Sequence, residues 1–177
     1  AGLAFYAVGR QMGRPVKQND RGHLLGHIRD TGKDIFTDQS ARGYQVRIAL
    51  PFHTDTSTDL LSLMCLRTAK EGGESALAPL QTVYNEVLAR RPDLIDTYYR
   101  PFNFDCRDEE HPDGGPFYTR VLASVGPDGR FSLRHNSGYA KSAAARFEEC
   151  EPLTDDQTEL LDLVDLLTHD PKIRLRT

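Results

Sequence analysis

The chain has 177 residues, 38% of them hydrophobic and 27% charged, with a formal net charge of −4. That length suits one domain with a core of its own, and the composition is that of an ordinary soluble globular protein. The acidic balance excludes the basic face that nucleic acid demands, and no apolar run approaches the roughly 20 residues of a membrane span. Cys65, Cys106 and Cys150 are odd in number and widely spaced, without a C-x-x-C pair, so neither a disulfide framework nor a zinc site is expected. The first residues carry no basic leader and no cleavage site, which points to a cytoplasmic protein. The chain does not begin with Met, so the true N-terminus is expected upstream.

In chain order, residues 2–12 read as a short helix with Leu3, Phe5, Tyr6 and Val8 as apolar members, ended by Gly13-Arg14-Pro15. Residues 16–41 are polar and rich in Gly and Asp and predict a long loop. His23 and His27 stand four apart there, but Gly22 and Gly26 disfavour the helix that would align them; two exposed histidines are expected. Residues 44–52 alternate loosely and run into His53. Residues 59–66 are apolar at nearly every position, as in a strand buried on both faces, with Cys65 a small buried hydrophobe within it. A turn over 68–74 follows.

Residues 79–90 repeat apolar side chains at Leu80, Val83, Tyr84, Val87 and Leu88, the spacing of an amphipathic helix. Arg91-Pro92-Asp93 starts a short helical turn. Residues 101–116, with three prolines and His111, read as a long polar loop, a candidate lid. Strands are expected over 117–125 and 130–134, joined at Gly126-Pro127-Asp128-Gly129, then a helix over 138–149. Residues 154–168 form the clearest helix: Thr154 and Gln157 make a capping box, and Leu160, Leu161, Leu163, Val164 and Leu167 supply its apolar side. A last strand begins at 172.

The candidate site is His53-Thr54-Asp55. In an extended strand, residues i and i+2 point to one face, so an imidazole and a carboxylate would lie side by side. That is two-thirds of a facial 2-His-1-carboxylate site, the arrangement suited to non-haem Fe(II) because it leaves positions open.

The run Phe52-His53-Thr54-Asp55, the apolar stretch 60–66, the turn Gly72-Gly73-Glu74-Ser75 and the helical stretch 80–90 together resemble the taurine dioxygenase-like (TauD/TfdA) family of Fe(II)/2-oxoglutarate-dependent oxygenases. VGRQMGRPVKQN, SARGYQV and PLTDDQTELLDLVDLLTHDP resemble the family more loosely, over nearly the whole chain. Periodicity alone supports only a mixed α and β protein with antiparallel strands. The resemblance implies a double-stranded β-helix (jelly-roll) core flanked by helices, in a single domain over 1–177. It also implies Fe(II) held by His53 and Asp55, 2-oxoglutarate as co-substrate with Ser75 near its far carboxylate, and O₂. Hydroxylation or desaturation of a small organic substrate follows, since an intact Asp55 leaves no room for halide at the metal. In the resembled family a second histidine and a basic residue come late, after a Pro-Gly-Asp-like turn. This sequence stops at Thr177, about where that turn would begin, so the jelly roll is expected to be incomplete at its C-terminus. His135, near a strand end, is weighed as a substitute ligand reaching inward, and His169 as a cation at a helix C-terminus.

Two other readings stand beside this one. One is a non-catalytic binding or structural member of the same fold, lacking a complete iron site. The other is a hydrolase using His53 and Asp55 for zinc. The expected partner is a small molecule, recognised near Arg42, Tyr44 and the 101–116 loop, with self-association left open.

Overall fold

The computed structural model describes residues 1–19, 21–34, 37, 41, 43–55, 58–107 and 114–176. Arg42 and His111 lie outside the described residues, as does the middle of the 101–116 loop. The chain divides into two compact units, residues 1–50 with 55–73, and residues 51–54 with 74–177. Among the described residues no helix is long and apolar enough to cross a membrane.

Among its described residues the first unit holds one α-helix, α1 (Gly2–Met12), none of whose residues is buried. The backbone after it turns on local polar contacts. Asn19 accepts from the Gly22 and His23 amides, through its carbonyl at 2.9 Å and its side chain at 3.2 Å, with Gly22 at φ 74°. Arg29 and Thr31 donate their amides to the Tyr44 and Gln45 carbonyls, at 3.1 and 2.8 Å, across a 3₁₀ turn at Gly43–Gln45. A Cβ at Gly43 would meet the terminal methyl of the exposed Leu50 side chain, which is free to move aside. Among the described residues this unit buries a single hydrophobic side chain, Ala41.

The second unit contains the core. Among the described residues its β-structure is three antiparallel ribbons: β1 (Ala76–Leu77) with β6 (Leu175–Arg176), β2 (Phe102–Asp105) with β3 (Phe117–Arg120), and β4 (Ala123–Val125) with β5 (Phe131–Leu133). Helix α2 (Leu80–Arg90) buries Val83 and Val87, four apart on one stripe. The 3₁₀ segment Pro92–Tyr99 adds Leu94 and Tyr98, and β2 adds Phe102 and Phe104 from alternate positions. Helix α4 (Asp155–Thr168) completes the cluster with Leu160, Leu161, Val164 and Leu167. Its start is fixed by the expected capping box. The Gln157 amide donates to Thr154 Oγ1 at 3.2 Å, and the Thr154 amide donates to Gln157 Oε1 at 3.0 Å.

Helix α3 (Ser137–Arg146) is tied to β2 through Asp105, whose side chain is 0% exposed. Its carboxylate accepts from Ser142 Oγ at 2.5 Å, the Arg107 amide at 2.6 Å and Arg146 Nη1 at 2.8 Å. Burial works against the charge, but these donors outweigh it and hold the carboxyl below its usual range.

Several expectations change. Residues 59–66 form no strand, and Leu61 and Leu66 are 65% and 61% exposed. A strand exists only where a neighbour satisfies its N–H and C=O groups, and no described segment pairs with this run. Cys65, expected to be buried, is exposed for the same reason. Residues 44–52 form a 3₁₀ turn and irregular backbone rather than an extended lead-in. The expected loop 101–116 opens with β2, whose Phe102 and Phe104 face the core. The expected strand 117–125 breaks at Val121-Leu122, where the Leu122 amide turns to the Tyr98 carbonyl at 3.0 Å. The β4–β5 turn is as expected, with Gly129 at φ 75° and the Gly126 amide donating to the Arg130 carbonyl at 2.9 Å.

Candidate functional site

The His53 segment is held from both sides within the second unit. Thr54, the middle residue of the motif, donates its amide to the His135 carbonyl at 2.7 Å, and its Oγ1 accepts the His135 amide at 3.0 Å. Phe52 sets its ring edge-on to His169, centroids 5.1 Å apart at 88°. His169 is the C-cap of α4, and its Nδ1 lies 2.7 Å from the Asp165 carbonyl. The two residues flanking His53 are thus pinned, one to the β5–α3 connection and one to the end of α4.

His53 itself is exposed, with Nδ1 2.8 Å from the Pro51 carbonyl. A carbonyl only accepts, so Nδ1 carries the proton and Nε2 is left with its lone pair, the form in which imidazole binds a metal. Residues 51–55 are irregular, so the pleat argument for a shared His53 and Asp55 face does not apply. Asp55 is exposed and belongs to the first unit. Ser75 is exposed and directly precedes β1.

A cavity of about 110 Å³ opens beside His53 within the second unit. Its polar wall includes His53, Thr54 and His135, and its apolar wall includes Phe52, Leu77 and Leu80. His135 follows β5, as expected for an inward-reaching residue, and is 3% exposed. Its Nε2 lies 2.8 Å from Asp165 Oδ1, and Ser137 Oγ donates to Asp165 Oδ2 at 2.6 Å. Burial alone would raise the Asp165 carboxyl, but hydrogen bonds from His135 and Ser137 outweigh it and hold it below the usual carboxylate range. The ionised carboxylate accepts, so Nε2 carries the His135 proton in the neutral ring.

The sequence reading missed two of these parts. Thr54 gave no signal beyond its place in the motif. Asp165 did: it is a carboxylate four residues after Leu161 and three before Thr168, both buried on the apolar side of α4.

As donors, His53 with its free Nε2 and the Asp55 carboxylate suit a first-row divalent metal in kind. Among the described residues, no group of three or more His, Cys, Asp or Glu side chains is arranged to hold a metal, so His135 does not complete a three-ligand centre. His23 and His27 are exposed, as expected.

Comparison with known proteins bears on this arrangement. Residues 3–177 match the family described as "Taurine catabolism dioxygenase TauD, TfdA family". The chain is similar to FR-33289 synthase of Streptomyces rubellomurinus, 37% identical over 147 residues, which is 81% of this chain and 43% of that protein. It is also similar to the taurine hydroxylase-like protein SAT17 of Stachybotrys chartarum, 33% identical over 175 residues, 92% of this chain and 42% of that protein. The chain therefore spans less than half the length of these relatives. A match over residues 3–177, with His53-Thr54-Asp55 inside it, means that this chain belongs to the TauD/TfdA dioxygenase family.

Proposed function

We propose that this chain carries the metal-binding motif of an Fe(II)/2-oxoglutarate-dependent dioxygenase that hydroxylates or desaturates a small organic substrate. The observation that carries the reading is the intact His53-Thr54-Asp55 motif within a chain matched to the family over residues 3–177. The printed names of the relatives, a synthase and a hydroxylase-like protein, support the class and leave the substrate unassigned. The same family membership supports a single jelly-roll domain as the architecture in which the site works.

His53 would bind iron through Nε2, because Nδ1 is committed to the Pro51 carbonyl, and Asp55 would supply the carboxylate. When bound, the metal supplies activation of O₂ coupled to oxidative decarboxylation of 2-oxoglutarate. Ser75 would offer its hydroxyl to the far carboxylate of that co-substrate. The Thr54–His135 pairing fixes the backbone that carries His53, and fixed ligand geometry is the protein's main contribution at such a site. The walls at Phe52, Leu77 and Leu80 would seat an apolar part of the substrate and displace water.

The test is succinate formation and O₂ uptake by the purified protein with Fe(II) and 2-oxoglutarate. Turnover that falls to background in both His53→Ala and Asp55→Ala is the expected result. Turnover that survives His53→Ala overturns the assignment. A second reading, a non-catalytic member of the family, is favoured by the lack of a third metal-binding side chain among the described residues. Complete absence of 2-oxoglutarate consumption would select it.

A further inference from the structure

The two residues that flank His53 are both pinned to the last turns of α4, and one residue there, Asp165, supplies both anchors. On the Thr54 side the anchor is its carboxylate. His135 Nε2 lies 2.8 Å from Oδ1, Ser137 Oγ donates to Oδ2 at 2.6 Å, and Lys141 Nζ stands 3.9 Å from that second oxygen. An ionised carboxylate accepts from Nε2–H of a neutral ring and of an imidazolium alike, so the contact serves in either charge state. His135 is 3% exposed, so a held ring leaves its peptide little room to move. That peptide takes the Thr54 amide on its carbonyl at 2.7 Å and donates its own amide to Thr54 Oγ1 at 3.0 Å.

On the Phe52 side the anchor is the Asp165 backbone carbonyl. It accepts from His169 Nδ1 at 2.7 Å and from Thr168 Oγ1 at 2.8 Å. Carbonyls near a helix end lack intrahelical amide partners, and side chains satisfy this one. The His169 ring, oriented in this way, meets Phe52 edge-on. Helix α4 is a firm support for both anchors, since Leu161, Val164 and Leu167 lie in the core and a capping box holds its start. His53, by contrast, is exposed and sits on irregular backbone. Such a residue has conformational freedom to lose when it binds a metal, and its flanks decide how much.

We propose that Asp165 is a positioning residue for the metal ligand His53, acting from α4 through the His135 ring and the paired His135 and Thr54 backbones. The inference rests on the oxygenase reading for the words metal ligand, whereas the linkage itself is present without iron. It extends that reading to a carboxylate that touches neither the metal motif nor the cavity wall.

The test compares Asp165→Ala with the conservative Asp165→Asn, whose amide keeps an oxygen for His135 and an N–H₂ group for Ser137 Oγ. Hydrogen exchange at the position-54 amide is read in the metal-free protein. Fe(II) affinity is read anaerobically from broadening of the His53 ring resonances. Asp165→Ala should speed the exchange and weaken Fe(II) binding, each about tenfold, and Asp165→Asn should recover most of both. Thr54→Val keeps the side-chain shape but removes the acceptor of the His135 amide, so it should reproduce both effects from the far end. Thr54→Ser should leave both near wild type. Val87→Ala, a core truncation on α2 away from this linkage, should move neither. Exchange at position 54 that is unchanged in both Asp165→Ala and Thr54→Val overturns the proposal. An equal response in Val87→Ala also overturns it, because Asp165 would then serve general stability alone. Fe(II) affinity for His53 that Asp165→Ala leaves unchanged is equally fatal. Fe(II) that reaches no His53 resonance in the wild type counts against the oxygenase reading instead, and the exchange arm still decides the linkage.

Discussion

The two units use similar apolar residues to opposite effect. In the second, Leu160, Leu161, Val164 and Leu167 from α4 meet Val83 and Val87 from α2 and Phe102 and Phe104 from β2 in one buried cluster. In the first, Leu60, Leu61, Leu63 and Leu66 stand exposed, as do Leu3, Val8 and Met12 of α1. Apolar content is not what separates them. The second unit has helices that bring apolar stripes together and ribbons that satisfy their own backbone. The first, among its described residues, has one helix and no strand. Hydrophobic residues stabilise only where secondary structure gives them a surface to share. His53 and Ser75 belong to the well-packed unit and Asp55 to the other.

The sharpest way to break this comparison is a matched pair of truncations. Leu161→Ala removes a side chain that is fully buried and should cost about 2–5 kcal/mol in urea unfolding. Leu61→Ala removes one that is mostly exposed and should stay within about 0.5 kcal/mol. Equal costs would mean that the 59–66 run has a packing partner.

Next in size is Arg146→Ala. It leaves the wholly buried Asp105 carboxylate with only its Ser142 and Arg107 amide donors, and a loss of about 3 kcal/mol is expected. Arg146→Lys should recover part of it. If Arg146→Ala is neutral in urea unfolding, Asp105 is sufficiently held by its remaining donors.

The pH dependence of unfolding sharpens the same point. Asp105 and Asp165 both have carboxyls held below the usual range in the folded state. Depressed folded-state values mean that their contribution is complete above the ordinary carboxylate value, about 4, and is lost as the pH falls below it. The double variant Asp105→Asn/Asp165→Asn should flatten the acid limb of a thermal-melting profile between about pH 4 and pH 2. An unchanged limb would place the acid sensitivity elsewhere.

The smallest effect is at the α4 cap. Thr154→Ala removes one half of the capping box and should cost about 1 kcal/mol. Thr154→Ser should restore most of it. A cost near zero would mean that the Gln157 bond to the Pro101 carbonyl holds the helix start by itself.

What the sequence revealed follows the same division. Helix α4 was legible because a local rule, Thr154 with Gln157, coincides with a 3.6-residue apolar period over the same stretch. Helix α2 and the Gly126–Gly129 turn were legible for similar local reasons. Residues 59–66 were misread because strand pairing is not local: an apolar run specifies burial only if another segment arrives beside it. The β2 strand was hidden by its polar, proline-flanked neighbourhood, although Phe102 and Phe104 alternate correctly. Of the site, His53 and Asp55 were visible as a motif. The Asp165–His135–Thr54 linkage joins residues 30 and 81 positions apart, and no short-range pattern encodes that distance.

The most direct test of the central claim is an anaerobic Fe(II) titration of the protein labelled with ¹⁵N-histidine, followed in the ring spectra. Paramagnetic broadening should reach the His53 ring at the lowest metal concentration, before His23, His27 and His169. Asp55→Ala should raise the concentration required by at least about tenfold, as for loss of one charged ligand. Broadening that begins at another histidine, or that Asp55→Ala leaves unchanged, would contradict the assignment of His53 and Asp55 as the metal-binding pair.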